Sequence, residues 1–231
     1  MKTAPIVPAQ VEFGSDPQTP PHAPAFGDFY HPRQGAFEQA RQVFLAGNGL
    51  PERWRGRARF AIAETGFGLG HNFIATRAAW RDDAARCDRL VFVSVDKHPL
   101  RRDDLLRAHA ASPHPTLARE LVERWPPLVA GLHTLEFDGG RVRLLLGFGE
   151  ALDVLRHLVA RIDAFFLDGF APACNAAMWS SELLRSLAKL AAPGATAATW
   201  SAARAVRDGL AAAGFEVIAA PGTGGKRDIT L

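Results

Sequence analysis

Cysteine is scarce in this chain, with only Cys87 and Cys174. Two cysteines build neither a disulfide framework nor a cysteine-based zinc site, and they suit a reducing compartment. The histidines His31, His71, His109, His114 and His133 lack metal-ligand spacing, so no metal is expected. No apolar run approaches the roughly 18 residues that cross a bilayer. The N-terminus also lacks the basic-then-apolar pattern of an export signal. A soluble, cytoplasmic protein without a membrane partner is the expectation. Lysine is rare too, occurring at positions 2, 97, 189 and 226 among 27 basic residues, so arginine carries nearly all the positive charge. Arginine suits bidentate phosphate contacts, although a GC-rich genome explains the same bias. A net charge of +3 is compatible with nucleic-acid binding without demonstrating it.

What is present is a chain long enough for one domain, with ordinary apolar and charged fractions. Residues 1–25 hold six prolines, which exclude regular helix and predict an extended proline-rich arm. Residues 26–231 then read as one domain with N-terminal decoration. A short strand is expected near Phe26–His31, and a helix over Gln34–Ala46 ends at Gly47-Asn48-Gly49. Strands follow at Arg59–Ala63, Leu90–Val95, Ile162–Leu167 and Ala195–Trp200. Helices are expected near Asn72–Trp80, Pro99–His109, Thr116–Trp125, Glu150–Val159, Ser181–Leu190 and Ala202–Ala212. Asp138-Gly139-Gly140 joins Leu132–Phe137 to Arg141–Leu146 as a hairpin. Phe215–Ala220 and Arg227–Leu231 form a second hairpin at the end. Strands alternating with helices imply an α/β fold with a mostly parallel, doubly wound, Rossmann-like sheet. The closing antiparallel hairpin suits its seven-stranded class I methyltransferase version.

The stretch Phe60–Phe73, FAIAETGFGLGHNF, carries the most chemistry. A buried strand ends at Glu64, and glycines at 66, 68 and 70 lead into a helix. Such a turn receives a nucleotide-like ligand at the carboxyl edge of a doubly wound sheet. A dinucleotide fingerprint needs its third glycine at position 71. Here it stands at 70, which favours an S-adenosylmethionine site over an NAD site. Acids recur at later strand ends. Asp96 offers two acceptors to the two hydroxyls of a ribose. Glu150 is placed to accept from an adenine amino group, with Phe148 or a nearby apolar side chain against the ring. Glu64 is placed to face the charged methionine end. Asp168 ends the next buried strand and opens Asp168-Gly169-Phe170-Ala171-Pro172. A carboxylate there can hold an alkyl ammonium and take its proton, while Phe170 and Pro172 exclude water. Each acid could instead cap a helix or sit in a solvated loop.

Taken in order, these segments resemble the family of tRNA 5-methylaminomethyl-2-thiouridine methyltransferases. That family occurs as the stand-alone MnmD form and as the N-terminal half of bifunctional MnmC. The matching pieces are Val43–Leu50, Glu64–Phe73, Ser94–Leu100, Trp125-Pro126, Asp168–Pro172 with Asn175 and Met178-Trp179, and Gly225-Lys226-Arg227. The resemblance implies a Rossmann-like methyltransferase, S-adenosylmethionine as methyl donor and tRNA as partner. It implies N-methylation of the aminomethyl group of 5-aminomethyl-2-thiouridine at the wobble position. Cofactor contacts are then expected from Glu64, Gly66, Phe67, Gly68, Gly70, Asn72, Asp96, Lys97 and Glu150. Asp168 is the expected catalytic residue, and Phe170, Pro172 and Trp179 are the expected substrate contacts. Arg101-Arg102, Arg204 and Lys226-Arg227 are candidates for phosphate. Cys174, Ala176 and Ala177 depart from the family's usual basic residue, proline and acid. The flavin-binding oxidase half is expected to be absent. Another amine alkyltransferase, such as an aminopropyltransferase or a small-molecule N-methyltransferase, is the alternative enzyme. An inactive cofactor-binding RNA module is the non-enzymatic one.

Overall fold

The computed structural model of the protein describes residues 6–16, 19–222 and 228–231. The arm comes first, and its described part is not a loose tail. It pairs Glu12 with His22 and then turns through β1 (His22–Ala23) and β2 (Asp28–Phe29), a small antiparallel hairpin. Helix α1 (Ala36–Gln39) runs on as a π-helical stretch over Ala40–Leu45 and a 3-10 turn over Ala46–Asn48. This long helical unit buries Ala40, Val43, Phe44 and Leu45. It stops at Gly49, whose φ of 64° is the left-handed conformation that ends helices. At Gly47 the backbone passes so close to the C-terminus that a Cβ would stand 2.8 Å from the Leu231 side chain.

The remaining elements alternate. They are β3 (Arg59–Thr65), α2 (His71–Asp82), β4 (Arg89–Asp96), α3 (Arg102–Ala108), α4 (Pro115–Glu123), β5 (Gly131–Phe137), β6 (Val142–Phe148) and α5 (Ala151–Arg156). After them come β7 (Ile162–Phe166), α6 (Ser181–Ala188), β8 (Ala191–Ala198), α7 (Arg204–Ala212), β9 (Ala219–Pro221) and β10 (Asp228–Thr230). The main sheet has the order β5-β6-β4-β3-β7-β8, and all its pairings are parallel except β5 with β6. Strands β3 and β7 are buried along nearly their whole length because helices cover both faces of the sheet. One apolar cluster, including Phe73, Phe92 and Phe166, lies under α2 and α4. The other, including Phe165, Leu184 and Leu210, lies under α6 and α7. The chain builds outward from β3 through β4 to β6 and then returns to lay β7 on the other side. The switch point between β3 and β7 therefore opens a crevice at their carboxyl ends.

Three details differ from the sequence expectation. The main sheet holds six strands among the described residues, not seven. The closing hairpin β9–β10 is present, but its strands span three residues each, and among the described residues it meets the sheet edge where Thr199 and Thr230 exchange backbone hydrogen bonds. Strand β8 begins at Ala191, not Ala195, because Pro193 and Gly194 fall where the β7–β8 register slips and the ladder needs no donor. Strand β7 is also not fully apolar. Asp163 accepts from the Ala61 N–H at 2.8 Å and pairs with Arg57 at 2.8 Å, so its burial is satisfied. No helix among the described residues is long and apolar enough to cross a membrane.

Candidate active site

The glycine loop leaves β3 at Thr65 and is fastened to the end of β4. The N–H groups of Gly66 and Phe67 both donate to the Val95 carbonyl, at 3.0 and 3.2 Å. The φ angles of 85°, 51° and 75° at Gly66, Gly68 and Gly70 are all left-handed. Space for a ligand is not the reason for every glycine. A Cβ on Gly70 would stand 2.8 Å from the Phe67 ring and 3.1 Å from Leu121. Phe67 itself turns inward, 3% exposed, and stacks on Trp125 at 5.5 Å. Gly70→Ala is therefore expected to cost about 1–3 kcal/mol of stability through overpacking and left-handed strain, read from urea melts. A variant as stable as the parent would contradict this packing.

The acids gather at the carboxyl ends of the strands, as expected. Asp96 takes the Gly68 N–H on Oδ2 at 2.9 Å and the His98 N–H on Oδ1 at 2.8 Å. Burial raises its pKa, opposed by those two N–H groups. Glu64 is 3% exposed, and its Oε2 accepts from Ser94 Oγ at 2.6 Å, while Oε1 is a buried acceptor without a hydrogen-bond partner. Burial pushes Glu64 well above the usual carboxyl range; the Ser94 hydroxyl opposes this, and the nearby Asp168 adds to it. Glu150 stands just before α5 and forms an ion pair with Lys97 at 2.5 Å, both side chains about half exposed. Phe148 does not face the crevice. It is 1% exposed and packs on Trp125 and His133, leaving Ala151 on the lining.

Asp168 lies just beyond β7, where its carboxylate accepts from Asn72 Nδ2 at 2.8 Å and from the Gly169 N–H at 2.8 Å. Its backbone carbonyl takes the Thr65 hydroxyl at 2.8 Å, which ties the two strand ends across the crevice. The following loop is held from the N-terminal hairpin. Asp28 Oδ2 accepts the Ala171 N–H at 2.9 Å, Phe26 stacks on Phe170 at 4.6 Å, and Tyr30 meets Phe170 edge-on at 5.2 Å. Burial, with Asp96 and Asp104 nearby, pushes the Tyr30 phenol above its ordinary range. Cys174, Ala176 and Ala177 are exposed, and the loop closes there through backbone bonds from Cys174 and Asn175 to the Ala171 carbonyl.

One cavity of about 890 Å³ unites these pieces. Gly66, Phe67, Gly68, Asn72, Asp96, Lys97, Glu150, Asp168 and Phe170 line it, all of them expected from the sequence. Glu64, Gly70, Pro172 and Trp179 are not on its lining. Glu64 is buried within the strand, and Gly70 faces Phe67. Trp179 is 9% exposed and donates its indole N–H to the Phe170 carbonyl at 2.9 Å. Pro172 is only half-buried and lies in the loop away from the cavity wall. Sequence reasoning missed Phe26, Tyr30, Met178 and Trp200 on the lining. It also missed that Val7–Gln10 of the arm line the cavity, with Val7 and Ala9 bonded to His98 and Pro99. Of the candidate phosphate contacts, Arg102 donates to the Val122 carbonyl and Arg204 is exposed beside Asp208. Lys226 and Arg227 lie outside the described residues.

At one end of the cavity, His71 lies edge-on to His31, His109 and Phe37, with ring centroids 4.8–5.4 Å apart. Burial holds all three imidazoles below their ordinary range. The sign follows directly. Below about pH 6.5 the unfolded chain protonates these rings while the folded chain does not. Acidification through that range therefore takes protons into the unfolded state and removes stability. Urea midpoints should fall between about pH 7.5 and about pH 5, and His71→Gln should flatten that slope. An equal slope in the variant would exclude His71 as a source.

Residues 113–231 match the family described as S-adenosyl-L-methionine-dependent methyltransferase. The chain is 63% identical over its whole length to the tRNA 5-methylaminomethyl-2-thiouridine biosynthesis bifunctional protein MnmC of Methylibium petroleiphilum, and covers 35% of that protein. It is 56% identical to the protein of the same description from Azoarcus sp., over 97% of this chain and 35% of that one. The chain thus spans about a third of the length of these curated relatives. The solved structure of MNMC2 from Aquifex aeolicus superposes with a TM-score of 0.75 at 23% identity, covering 97% of this chain and 70% of that chain. At that identity the likeness establishes the fold.

Proposed function

Because the chain belongs to the family of S-adenosyl-L-methionine-dependent methyltransferases, we propose that it N-methylates the aminomethyl group of 5-aminomethyl-2-thiouridine at the tRNA wobble position. The observation that carries this is the Asp168 carboxylate, fixed at the end of β7 on the wall of the cavity that also contains the glycine loop and Asp96. The MnmC relatives are named for that tRNA modification, and their similarity reaches across 100% and 97% of this chain.

The residues present fit the cofactor. Gly66 and Gly68 bring bare backbone to the cavity wall, with only ordinary contacts at their Cβ positions. Asp96 keeps lone pairs on both oxygens for ribose hydroxyls beyond the two backbone bonds it accepts. Lys97 and Glu150 pair at the rim, where the carboxylate can turn to an adenine amino group. Glu64 lies off the lining, buried at the end of β3, so in this reading it makes no direct contact with the cofactor. When bound, S-adenosylmethionine supplies a methyl on a sulfonium with a neutral leaving group, so rate depends mainly on positioning and on a deprotonated acceptor. Asp168 holds the acceptor ammonium and takes its proton. Phe170, backed by Phe26 and Tyr30, keeps water from that side. The protein works on tRNA in the cytoplasm. Residues 26–231 are the methyltransferase unit, and Val7–Gln10 of the preceding arm line its cavity.

Mass spectrometry of wobble nucleosides, after incubating tRNA that carries the aminomethyl form with the protein and S-adenosylmethionine, tests this. The methylaminomethyl nucleoside is the expected product. Its failure to accumulate, with cofactor binding intact by calorimetry, would favour a binding module.

A further inference from the structure

Among the described residues, donors from three separate parts of the chain grip Asp168. Its Oδ2 accepts from Asn72 Nδ2 at 2.8 Å, from the first turn of α2. Its Oδ1 accepts from the Gly169 N–H at 2.8 Å and from Trp200 Nε1 at 3.2 Å, just past β8. The donors on Oδ1 and Oδ2 together fix the plane of the carboxyl group. Every one of them favours the ionised form, because an N–H stabilises the charged oxygen more than the neutral acid.

The supports are themselves anchored. Asn72 is 7% exposed and held within a helix of twelve residues. Trp200 lines the cavity and meets Trp179 edge-on at 6.3 Å, and Trp179 donates to the carbonyl of Phe170 in the Asp168 loop. Trp200 thus braces the acid directly and its loop through a second indole. A carboxylate held this way meets an ammonium in one orientation.

We propose that Trp200 and Asn72 are positioning residues that hold Asp168 ionised and oriented toward the acceptor amine. The inference rests on the assignment of Asp168 to the acceptor. The proton leaves the acceptor nitrogen for Asp168, and the electron pair freed on nitrogen forms the new N–C bond as the methyl carbon's bond to sulfur breaks. Each donor makes Asp168 a weaker base than the same carboxylate without that donor. What they supply is a charged partner fixed at the acceptor's place.

The test uses Trp200→Phe, which keeps an aromatic ring and removes the N–H, and Asn72→Ala as an independent second variant. Each should lower kcat roughly tenfold or more, the loss of one hydrogen bond to a charged group. KM for tRNA should stay within about twofold of the parent in both variants, and the calorimetric affinity for S-adenosylmethionine within about twofold in Trp200→Phe, whose side chain is not among the expected cofactor contacts. The acid limb of the pH–rate profile should move to higher pH, since a donor favouring the carboxylate is gone. A merely structural tryptophan would lower the melting temperature and leave that limb in place. The ¹³Cγ signal of Asp168, identified by its loss in Asp168→Asn, reads the same effect without substrate, and its titration midpoint should rise in both variants. Unmoved midpoints and an unmoved acid limb would overturn the proposal. If the parent methylates no aminomethyl tRNA, the acceptor assignment fails, and the carbon signal still decides whether the clamp exists.

Discussion

Asp168→Asn is expected to lower methyl transfer to aminomethyl-bearing tRNA by roughly 10²–10⁴-fold, the usual contribution of a positioned proton acceptor. The asparagine amide matches the carboxyl group in shape and so isolates the chemistry. It neither attracts an ammonium nor accepts its proton. The substitution also places one amide N–H₂ group against donors that are in place, the Gly169 N–H and Trp200 Nε1 on one side or Asn72 Nδ2 on the other. Some loss of stability should therefore accompany the loss of rate, and a melting curve will measure it separately. Cofactor affinity should stay within a few fold, because Asp96, Gly66 and Gly68 are untouched. Single-turnover methylation with tritiated cofactor, beside calorimetry on the same preparations, separates the two quantities. Unchanged turnover would remove Asp168 from the reaction, and a large loss of cofactor affinity would place it in the wrong half of the cavity.

The parts of this site that the sequence revealed are those that local chemistry dictates. The glycine loop could be read because alternating glycines after an apolar run have few other uses. Asp96 and Asp168 could be read because each ends a buried strand, and carboxyl ends of strands in a doubly wound sheet point at the ligand. The hidden parts arise from contacts distant in the chain. Asp28 reaches the Ala171 N–H across 143 positions, and no spacing rule joins an N-terminal hairpin to a loop after β7. The tryptophans show the same limit. Trp179 stands close to Asp168 in sequence yet faces the core, whereas Trp200 stands 32 residues away and reaches the carboxylate. Gly70 was read correctly as a glycine position for an incomplete reason, since the Phe67 ring already fills the space its Cβ would need. The seventh strand was counted from the closing hairpin of the seven-stranded methyltransferase version, and a hairpin signal cannot say whether a three-residue strand joins a ladder or touches its edge.

The second large effect is expected at Asp96. Asp96→Ala should weaken S-adenosylmethionine binding by roughly 1.5–3 kcal/mol, about 10- to 150-fold in Kd, the cost of hydrogen bonds lost from a charged acceptor. Two contributions enter that figure. One is direct, from ribose hydroxyls that no longer find an acceptor. The other runs through the glycine loop, because Asp96 Oδ2 also holds the Gly68 N–H at 2.9 Å. Asp96→Asn separates them. Its amide oxygen can still accept from one backbone N–H, while its N–H₂ group cannot accept from a hydroxyl, so it should retain more stability than the alanine variant while losing comparable affinity. Acidity gives an independent check. Burial raises the Asp96 carboxyl above its ordinary value, so protonation should remove the acceptor at a higher pH than an exposed aspartate would. Affinity should therefore decline on acidification in the parent, and decline less in either variant. Calorimetric titrations across the acidic range, with melting curves to exclude unfolding, read both effects. A dissociation constant unchanged by Asp96→Ala would take this acid out of the cofactor's contacts and leave it the simpler task of shaping the loop.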